Sequence, residues 1–212
     1  MARILIGALS CLKYQFRRAR CMETWVPQTR RLDLDFVFLV GQPDLEKGTP
    51  ERHGDLLLLP CPSDYPSLPQ RTLWFCRWAL AQPWWDYLLK CDDDTYLAAQ
   101  RLAKYNLADR DYIGAEWQPG VGYGSGGAGY LLSRKAAAIV AEKLTQPTGP
   151  EDLLAGKVLR EAGVDLSIEP RFTPFSGPDR YPRRDNDRIT GHHLESQLWA
   201  IAHDEMSQEA NG

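Results

Sequence analysis

The chain has 212 residues, of which 43% are hydrophobic, and a formal net charge of −3. This length is enough for one sizeable core, so we expect a single domain over residues 1–212. The slightly acidic balance argues against general nucleic-acid binding, and the apolar runs are too short to span a membrane. Five scattered cysteines without a CxxC pair indicate reduced thiols, and residues 1–9 lack a signal-peptide pattern, so a soluble cytoplasmic protein is expected.

The first half of the chain alternates between strand and helix patterns. Short apolar runs closed by glycine or proline predict strands, and apolar positions at helical spacing predict helices. Strands are predicted at 3–9, 35–41, 55–60 and 87–89, and helices at 15–24, ending before Pro27, and at 71–81. The interval 42–54 is predicted to be a polar loop. This βαβ alternation predicts an α/β fold with a mostly parallel sheet and helices on both faces.

Three consecutive carboxylates, Asp92, Asp93 and Asp94, come shortly after the apolar run Tyr87–Leu89. Adjacent acids repel one another and lose hydration when buried, which favours a bound divalent cation with oxygen ligands. The carboxyl ends of parallel strands are also where ligands bind in such sheets. A metal site is therefore one interpretation, and a solvated acidic turn is the other.

A glycine-dense stretch, residues 120–129, follows a helix predicted at 98–105 and a short strand predicted at 111–114. Residues 124–129 match G-x-G-x-x-G, but a strand at 130–133 is predicted to follow, so we reject a dinucleotide fingerprint. Two interpretations stay open: close approach of the backbone to a ligand, and a bend between strands. A helix is predicted next, at 134–144.

The last third of the chain holds further candidate groups. Glu151 and Asp152 open a helix predicted to run to residue 162, where the helix dipole alone explains two acids. After a strand predicted at 164–168, the proline- and arginine-rich interval 170–188 is predicted to be a lid or an active-site loop. His192 and His193 follow, and we weigh them as metal ligands although no HExxH or paired Cys/His spacing indicates zinc. A short helix containing Trp199 is predicted to end the chain.

Several motifs, in this order, resemble those of a known family. Residues 86–96, D-Y-L-L-K-C-D-D-D-T-Y, are similar to its segment W-F-L-K-x-D-D-D-T-Y. The other matching pieces are Thr24-Trp25, Arg71-Thr72, residues 125–133, Glu151-Asp152 and residues 189–192. On these motifs the chain resembles glycosyltransferase family 31, the β-1,3-galactosyltransferase and fringe group, and looks most similar to its core 1 β-1,3-galactosyltransferase branch.

The resemblance implies a GT-A fold, a single Rossmann-like domain with a mostly parallel central sheet. It also implies inverting transfer of galactose or an N-acetylhexosamine from a UDP-sugar to a hydroxyl of a glycan acceptor, in β-1,3 linkage and with Mn²⁺. Animal members of the family are membrane-anchored and disulfide-bonded, so a soluble catalytic domain without its anchor is the alternative to a cytoplasmic, bacterial-type protein.

Roles for individual residues also follow from the resemblance. Asp152 falls on the general base, with Glu151 orienting it or serving instead. The implied metal ligands are Asp94, Asp92 and His192, with His193 as the alternative histidine. The implied contacts to the UDP-sugar are made by Leu9, Ser10, Arg20, Asp92, Asp93, Gly126 and Gly127.

Two other functions remain open from the sequence. One is a nucleotide-sugar or glycan-binding protein that keeps the fold without turnover, and the other is a metal-dependent phosphoryl-transfer enzyme. Trp117, Tyr123 and Phe175 are candidates for stacking on a sugar ring, although each suits a packing role equally well.

Overall fold

The fold is seen in a computed structural model that describes residues 2–107, 109–174 and 187–192, together with Trp199 and His203. The strands are Ile4–Ser10 (β1), Asp35–Gly41 (β2), Glu51–His53 (β3), Leu56–Leu59 (β4), Tyr87–Asp92 (β5), Tyr96–Leu97 (β6), Tyr112–Gly114 (β7), Tyr130–Ser133 (β8), Ser167–Ile168 (β9), Phe172–Thr173 (β10) and Thr190–Gly191 (β11). The α-helices are Gln15–Glu23 (α1), Val26–Arg31 (α2), Leu68–Leu80 (α3), Ala99–Lys104 (α4), Arg134–Lys143 (α5) and Glu151–Glu161 (α6).

The central sheet has eight strands in the order β3-β4-β2-β1-β5-β8-β7-β9. Strands β1, β2, β4, β5, β7 and β9 run in one direction, and β3 and β8 run in the opposite one. The predicted α/β fold with a mostly parallel sheet is thus confirmed. Because six strands share one direction, their carboxyl ends meet at one edge of the sheet, where ligands bind in such folds.

Strand β1 lies at the centre of the sheet, and all of its residues are buried. Since side chains alternate between the faces of a strand, Ile4 and Ile6 enter one hydrophobic cluster while Leu5 and Leu9 enter another. The first cluster is completed by residues of α1, α2 and α4, and the second by residues of α3, α5 and α6. The two clusters therefore pack helices on both faces of the sheet, with β1 and β5 between them.

Local differences from the predicted elements have simple causes. The helical region does not end at Pro27, because α2 starts at Val26 and proline is well tolerated in a first helical turn. The predicted polar loop 42–54 contains β3, a three-residue edge strand paired antiparallel with β4. Such short strands carry too few residues to show a periodic pattern.

A second sheet has three strands in the order β10-β11-β6. Strand β11 pairs antiparallel with β6, with Gly191 opposite Tyr96 and Thr190 opposite Leu97. This register places His192, which follows β11, beside the residues that precede β6. The histidine is thereby brought to the acidic segment at the end of β5.

Two further features concern the whole described part of the chain. All five cysteines are buried and are free thiols. Among the described residues, no helix combines the length and the apolar character that crossing a bilayer requires.

Candidate metal and donor site

A cluster of two carboxylates and one imidazole lies where β5 ends. One possible ligand atom from each of Asp92, Asp94 and His192 lies within 4.8 Å of the others. Nε2 of His192 is 3.3 Å from Oδ1 of Asp94 and 3.9 Å from Oδ2 of Asp92. This mixed set of oxygen and nitrogen donors can hold a divalent cation such as Mn²⁺. The structure therefore brings together the three residues predicted to be metal ligands.

His192 is held in one orientation by its surroundings. Its Nδ1 lies 2.9 Å from the carbonyl oxygen of Pro174, so an Nδ1–H donor leaves Nε2 facing the carboxylates. The ring also packs so closely on Gly127 that a Cβ at that position would overlap it. Burial would lower the pKa of His192, but Asp94 and Asp92 raise it, and the net pKa is raised. These carboxylates therefore favour the protonated form of His192 when no metal ion is bound.

Asp93, the middle acid, is buried and faces the end of β1. The hydroxyl of Ser10 donates to its Oδ2 at 2.7 Å, and Nη1 of Arg17 donates to its Oδ1 at 3.2 Å. Burial raises the pKa of Asp93 to about 6, although the hydrogen bonds from Ser10 and Arg17 act in the opposite direction. Asp93 thus ties the acidic segment to β1 and α1.

The first strand supplies the other predicted donor-binding positions. Leu9 and Ser10 are buried at the carboxyl end of β1, and Leu9 is in register with Asp92 of β5. The carbonyl of Ser10 accepts a hydrogen bond of 2.7 Å from buried Arg71 of α3. These residues are therefore adjacent to the acids, as their predicted role requires.

Helix α1 approaches the acids through Arg17, whereas Arg20 was predicted to contact the UDP-sugar. Arg17 donates to both Asp93 and Asp94, the latter at 3.1 Å. Arg20 instead lies over the ring of Trp199, with its guanidinium carbon 5.6 Å from the ring centroid. Sequence reasoning missed Arg17. Its spacing of three from Arg20 places both on one helical face, which makes Arg17 a candidate without deciding between them.

Two acids at the start of α6 face the glycine-rich stretch on another side of the site. Oδ2 of Asp152 accepts a hydrogen bond of 3.1 Å from the backbone N–H of Gly126. Glu151 is buried, and its Oε1 accepts from the hydroxyls of Thr72, at 2.9 Å, and Tyr130. Asp152 is only partly buried, so it is the more accessible of the two predicted acid–base groups.

Lys90 is a site residue that sequence reasoning missed. Its Nζ lies 3.2 Å from Oδ1 of Asp92, 3.0 Å from Oε2 of Glu151 and 2.9 Å from the carbonyl oxygen of Gly126. Burial would lower the pKa of Lys90, but Asp92 and Glu151 raise it, and the net pKa is raised. The available signal was a lysine next to the apolar run Tyr87–Leu89, two positions before Asp92 and thus on the same face of the strand.

The candidates for sugar stacking are only partly described. Trp117 is partly exposed, and its Nε1 donates a hydrogen bond of 2.8 Å to the hydroxyl of Tyr123. Phe175, His193 and residues 175–186 of the predicted lid lie outside the described residues. So does the predicted final helix, apart from Trp199 and His203.

Sequence comparisons connect this site to a family. Residues 16–118, which include α1, β5 and the three acids, match the sequence model of the galactosyltransferase family. A glycoprotein-N-acetylgalactosamine 3-beta-galactosyltransferase 1 from Xenopus laevis is 33% identical over 107 residues, which are 42% of this chain and 30% of that protein. The chain spans less than a third of the length of the curated relatives it matches.

Solved structures with a similar fold are also glycosyltransferases by their names. A glycosyltransferase involved in glycosylation of the major capsid of PBCV-1 superimposes with a TM-score of 0.60 at 16% identity, over 97% of this chain and 99% of that one. A Drosophila β1,4-galactosyltransferase 7 variant, in complex with manganese, UDP-Gal and xylobiose, superimposes with a TM-score of 0.53 at 11% identity, over 92% of this chain and 73% of that one. The comparisons confirm the predicted resemblance to the galactosyltransferase family and the GT-A fold.

Proposed function

We propose that the protein transfers a sugar from a UDP-sugar to a hydroxyl group of a glycan acceptor. The transfer inverts the anomeric carbon and uses a divalent cation. The galactosyltransferase-type sequence and the GT-A fold support this proposal. Residues 1–212 act as one catalytic domain in this proposal. The name of the Xenopus relative favours galactose as the sugar and β-1,3 as the linkage. An N-acetylhexosamine is the alternative donor sugar.

One observation supports the proposal more than any other. The neighbouring residues Gly126 and Gly127 separate two chemically different groups: Asp152 accepts from the N–H of Gly126, and the ring of His192 packs on Gly127. Inverting transfer needs this kind of separation, because the acceptor hydroxyl attacks the anomeric carbon from the face opposite the leaving nucleotide. A base is needed on one side of the sugar and positive charge on the other.

The cation fits the residues that would hold it. Asp92 and Asp94 supply carboxylate oxygens and His192 supplies an imidazole nitrogen, a donor set that suits Mn²⁺ better than Ca²⁺, which prefers oxygen alone. When bound, the ion supplies positive charge that compensates the negative charge growing on the departing diphosphate. The protein's part is to fix the three donors at the end of β5, in the segment after it and directly after β11.

Asp152 is the proposed base. It lies in the first turn of α6, at the positive end of the helix dipole. The N–H of Gly126 orients one carboxylate oxygen, and the carboxylate removes the proton from the acceptor hydroxyl as the new bond forms. Positioned proton removal contributes typically about 10²–10⁴-fold to a rate. Glu151, with both oxygens engaged inside the protein, orients the helix start.

A screen of nucleotide-sugars with and without Mn²⁺, read out as UDP release, tests the proposal. We expect release from a UDP-sugar only with the metal, and we expect Asp152→Asn to bind UDP and Mn²⁺ normally while losing turnover. Release of UMP and a sugar 1-phosphate in place of UDP would mean attack at phosphorus and would contradict the proposal. UDP binding by the wild-type protein without turnover of any donor would indicate a binding protein instead.

A further inference from the structure

We infer that Lys90 is a positioning residue that couples the metal site to the base: its ammonium group fixes both the carboxylate of Asp92 and the start of α6. The inference rests on the proposed function, since it explains how the two halves of that site keep a fixed separation. Lys90 touches neither donor nor acceptor in this role. It acts through Asp92 and through the peptide of Gly126.

Lys90 has three hydrogen-bond acceptors around one buried ammonium group. Asp92, Glu151 and the carbonyl of Gly126 lie between 2.9 and 3.2 Å from Nζ. An ammonium group has three N–H donors, so each donor has a partner. The side chain is only 3% exposed. Few other groups can satisfy three acceptors that come from β5, the glycine-rich stretch and α6.

The contact with Asp92 controls a predicted metal ligand. Oδ1 of Asp92 pairs with Nζ of Lys90, whereas its Oδ2 faces Nε2 of His192 at 3.9 Å. One carboxylate oxygen is therefore held inside the protein, and the other is aimed at the metal position. Partners that orient a ligand in this way typically change metal affinity by about 10–100-fold when they are removed.

The other contacts of Lys90 control the position of the base. Gly126 connects Lys90 to Asp152 through its backbone. Its carbonyl oxygen accepts a hydrogen bond from Lys90, and its N–H donates one to Asp152. A Cβ at residue 126 would lie 2.8 Å from both Nζ of Lys90 and Oε2 of Glu151, so a side chain there would push this contact apart. The arrangement thus depends on a glycine as well as on the lysine.

Glu151 anchors the lysine from the opposite side. Its Oε2 binds Lys90, and its Oε1 accepts from Thr72 and Tyr130, so no oxygen is left to face a substrate. Stability alone does not account for this buried pair, because well-packed uncharged residues in its place are often neutral or stabilising. A positioning role accounts for it, since only a charged donor reaches both the metal carboxylate and the glycine peptide.

The test compares Lys90→Met/Glu151→Gln with Glu151→Gln alone. The double variant removes both charges and keeps an amide oxygen for Thr72 and Tyr130, so it avoids an unpaired buried charge. The single variant keeps Lys90 on Asp92. We expect both to fold, with the double variant needing about 10–100-fold more Mn²⁺ for half-maximal UDP binding and losing turnover to at least that extent. The single variant should need less additional Mn²⁺ than the double variant, because Lys90 keeps its contacts with Asp92 and Gly126.

Two further variants complete the design. Lys135→Met removes an exposed lysine that pairs with Asp111 and should leave Mn²⁺-dependent UDP binding unchanged. Gly126→Ala displaces Nζ of Lys90 without deleting a charge, and it should also raise the Mn²⁺ requirement. It is the alternative test if the double variant does not fold. A wild-type Mn²⁺ requirement in a folded double variant, or in folded Gly126→Ala, would overturn the inference. A wild-type protein that releases no UDP from any donor would instead refute the proposed function.

Discussion

Nε2 of His192 lies 3.3 Å from Oδ1 of Asp94, although Asp94 follows β5 of the central sheet and His192 follows β11 of the second sheet. The pairing of β11 with β6 creates this contact, and the bond from His192 to Pro174 fixes the ring that makes it. The imidazole and the carboxylate can either pair with each other or share a cation. This choice makes the region sensitive to metal and to pH in predictable ways.

Removing either partner should weaken nucleotide binding only when metal is present. We expect Asp94→Ala and His192→Ala to lower UDP affinity in Mn²⁺ about tenfold or more. Removing a residue that only orients a metal ligand typically lowers metal affinity about 10–100-fold, and removing a ligand should cost at least as much. In EDTA both should bind UDP as weakly as the wild type does. Calorimetric titration with UDP under both conditions measures this. His53→Ala, which removes an exposed histidine paired with Glu51, is the matched control and should change neither titration. Equal losses with and without metal would point to misfolding.

The raised pKa of His192 predicts opposite pH trends with and without metal. Protonated imidazole cannot be a ligand, so Mn²⁺-dependent UDP binding should weaken as the pH falls through a pKa that lies above the ordinary value of about 6.5. Without metal, the pairing of imidazolium with Asp94 and Asp92 stabilises the fold fully below the unfolded-state pKa. That stabilisation is lost as the pH rises through the folded-state pKa.

Thermal unfolding across pH, in EDTA and in Mn²⁺, separates these two trends. The melting temperature gained from Mn²⁺ should grow with pH in the wild-type protein. His192→Gln should flatten the part of both curves near neutrality, because glutamine does not titrate. A Mn²⁺ effect that does not vary with pH between about 5 and 8 would mean that His192 is not a ligand.

Close packing of His192 on Gly127 predicts that a single methyl group disturbs the metal site. A Cβ at residue 127 would overlap the imidazole, so Gly127→Ala should displace the ring and reproduce the Mn²⁺ defect of His192→Ala. Gly156→Ala is the matched control, because its Cβ would overlap Tyr123 instead. The control should lose about 1–3 kcal/mol of stability from overpacking and keep its Mn²⁺ requirement. The same Mn²⁺ defect in both variants would show a general disturbance of the fold.

Patterns along the chain are enough to predict the frame of this site. The strand Asp35–Gly41 and the carboxylates after Tyr87–Leu89 follow from local apolar runs, and ligand binding follows from where parallel strands end. The approach of His192 to the acids depends on two-residue strands, which have no periodicity to read. The residues alone only suggested the histidine pair as ligands, and the preference for His192 came from resemblance to a family.

Partners inside the site are harder to predict, because they depend on packing between distant elements. Lys90 could be read as a lysine at the end of a strand, but its contact with Glu151 exists only when α6 packs beside β5. Helix α1 offers arginines at positions 17, 18 and 20, and only the placement of the helix decides that Arg17 meets the acids. Side-chain type and spacing do not contain this information.

Away from the metal site, the pair formed by Glu169 and Arg171 predicts a measurable loss of stability in acid. Hydrogen bonds from Arg171, supported by one of 2.8 Å from the hydroxyl of Tyr105, lower the pKa of Glu169 to about 2. Because this pKa is lower in the folded protein, the ionised Glu169 stabilises the fold above the unfolded-state pKa near 4.5. That stabilisation is lost as the pH falls toward 2. Because Arg171 is partly exposed, we expect a discounted contribution of about 1–2 kcal/mol at neutral pH.

Urea unfolding of the wild type and of Glu169→Gln tests this contribution. The two free energies of unfolding should differ by that amount at about pH 7 and by clearly less at about pH 3. Glu161→Gln, at an exposed helical pair with Lys157, should show no such pH-dependent difference, and a Glu169→Gln deficit that stays constant between the two pH values would mean that the carboxylate is not held in this way.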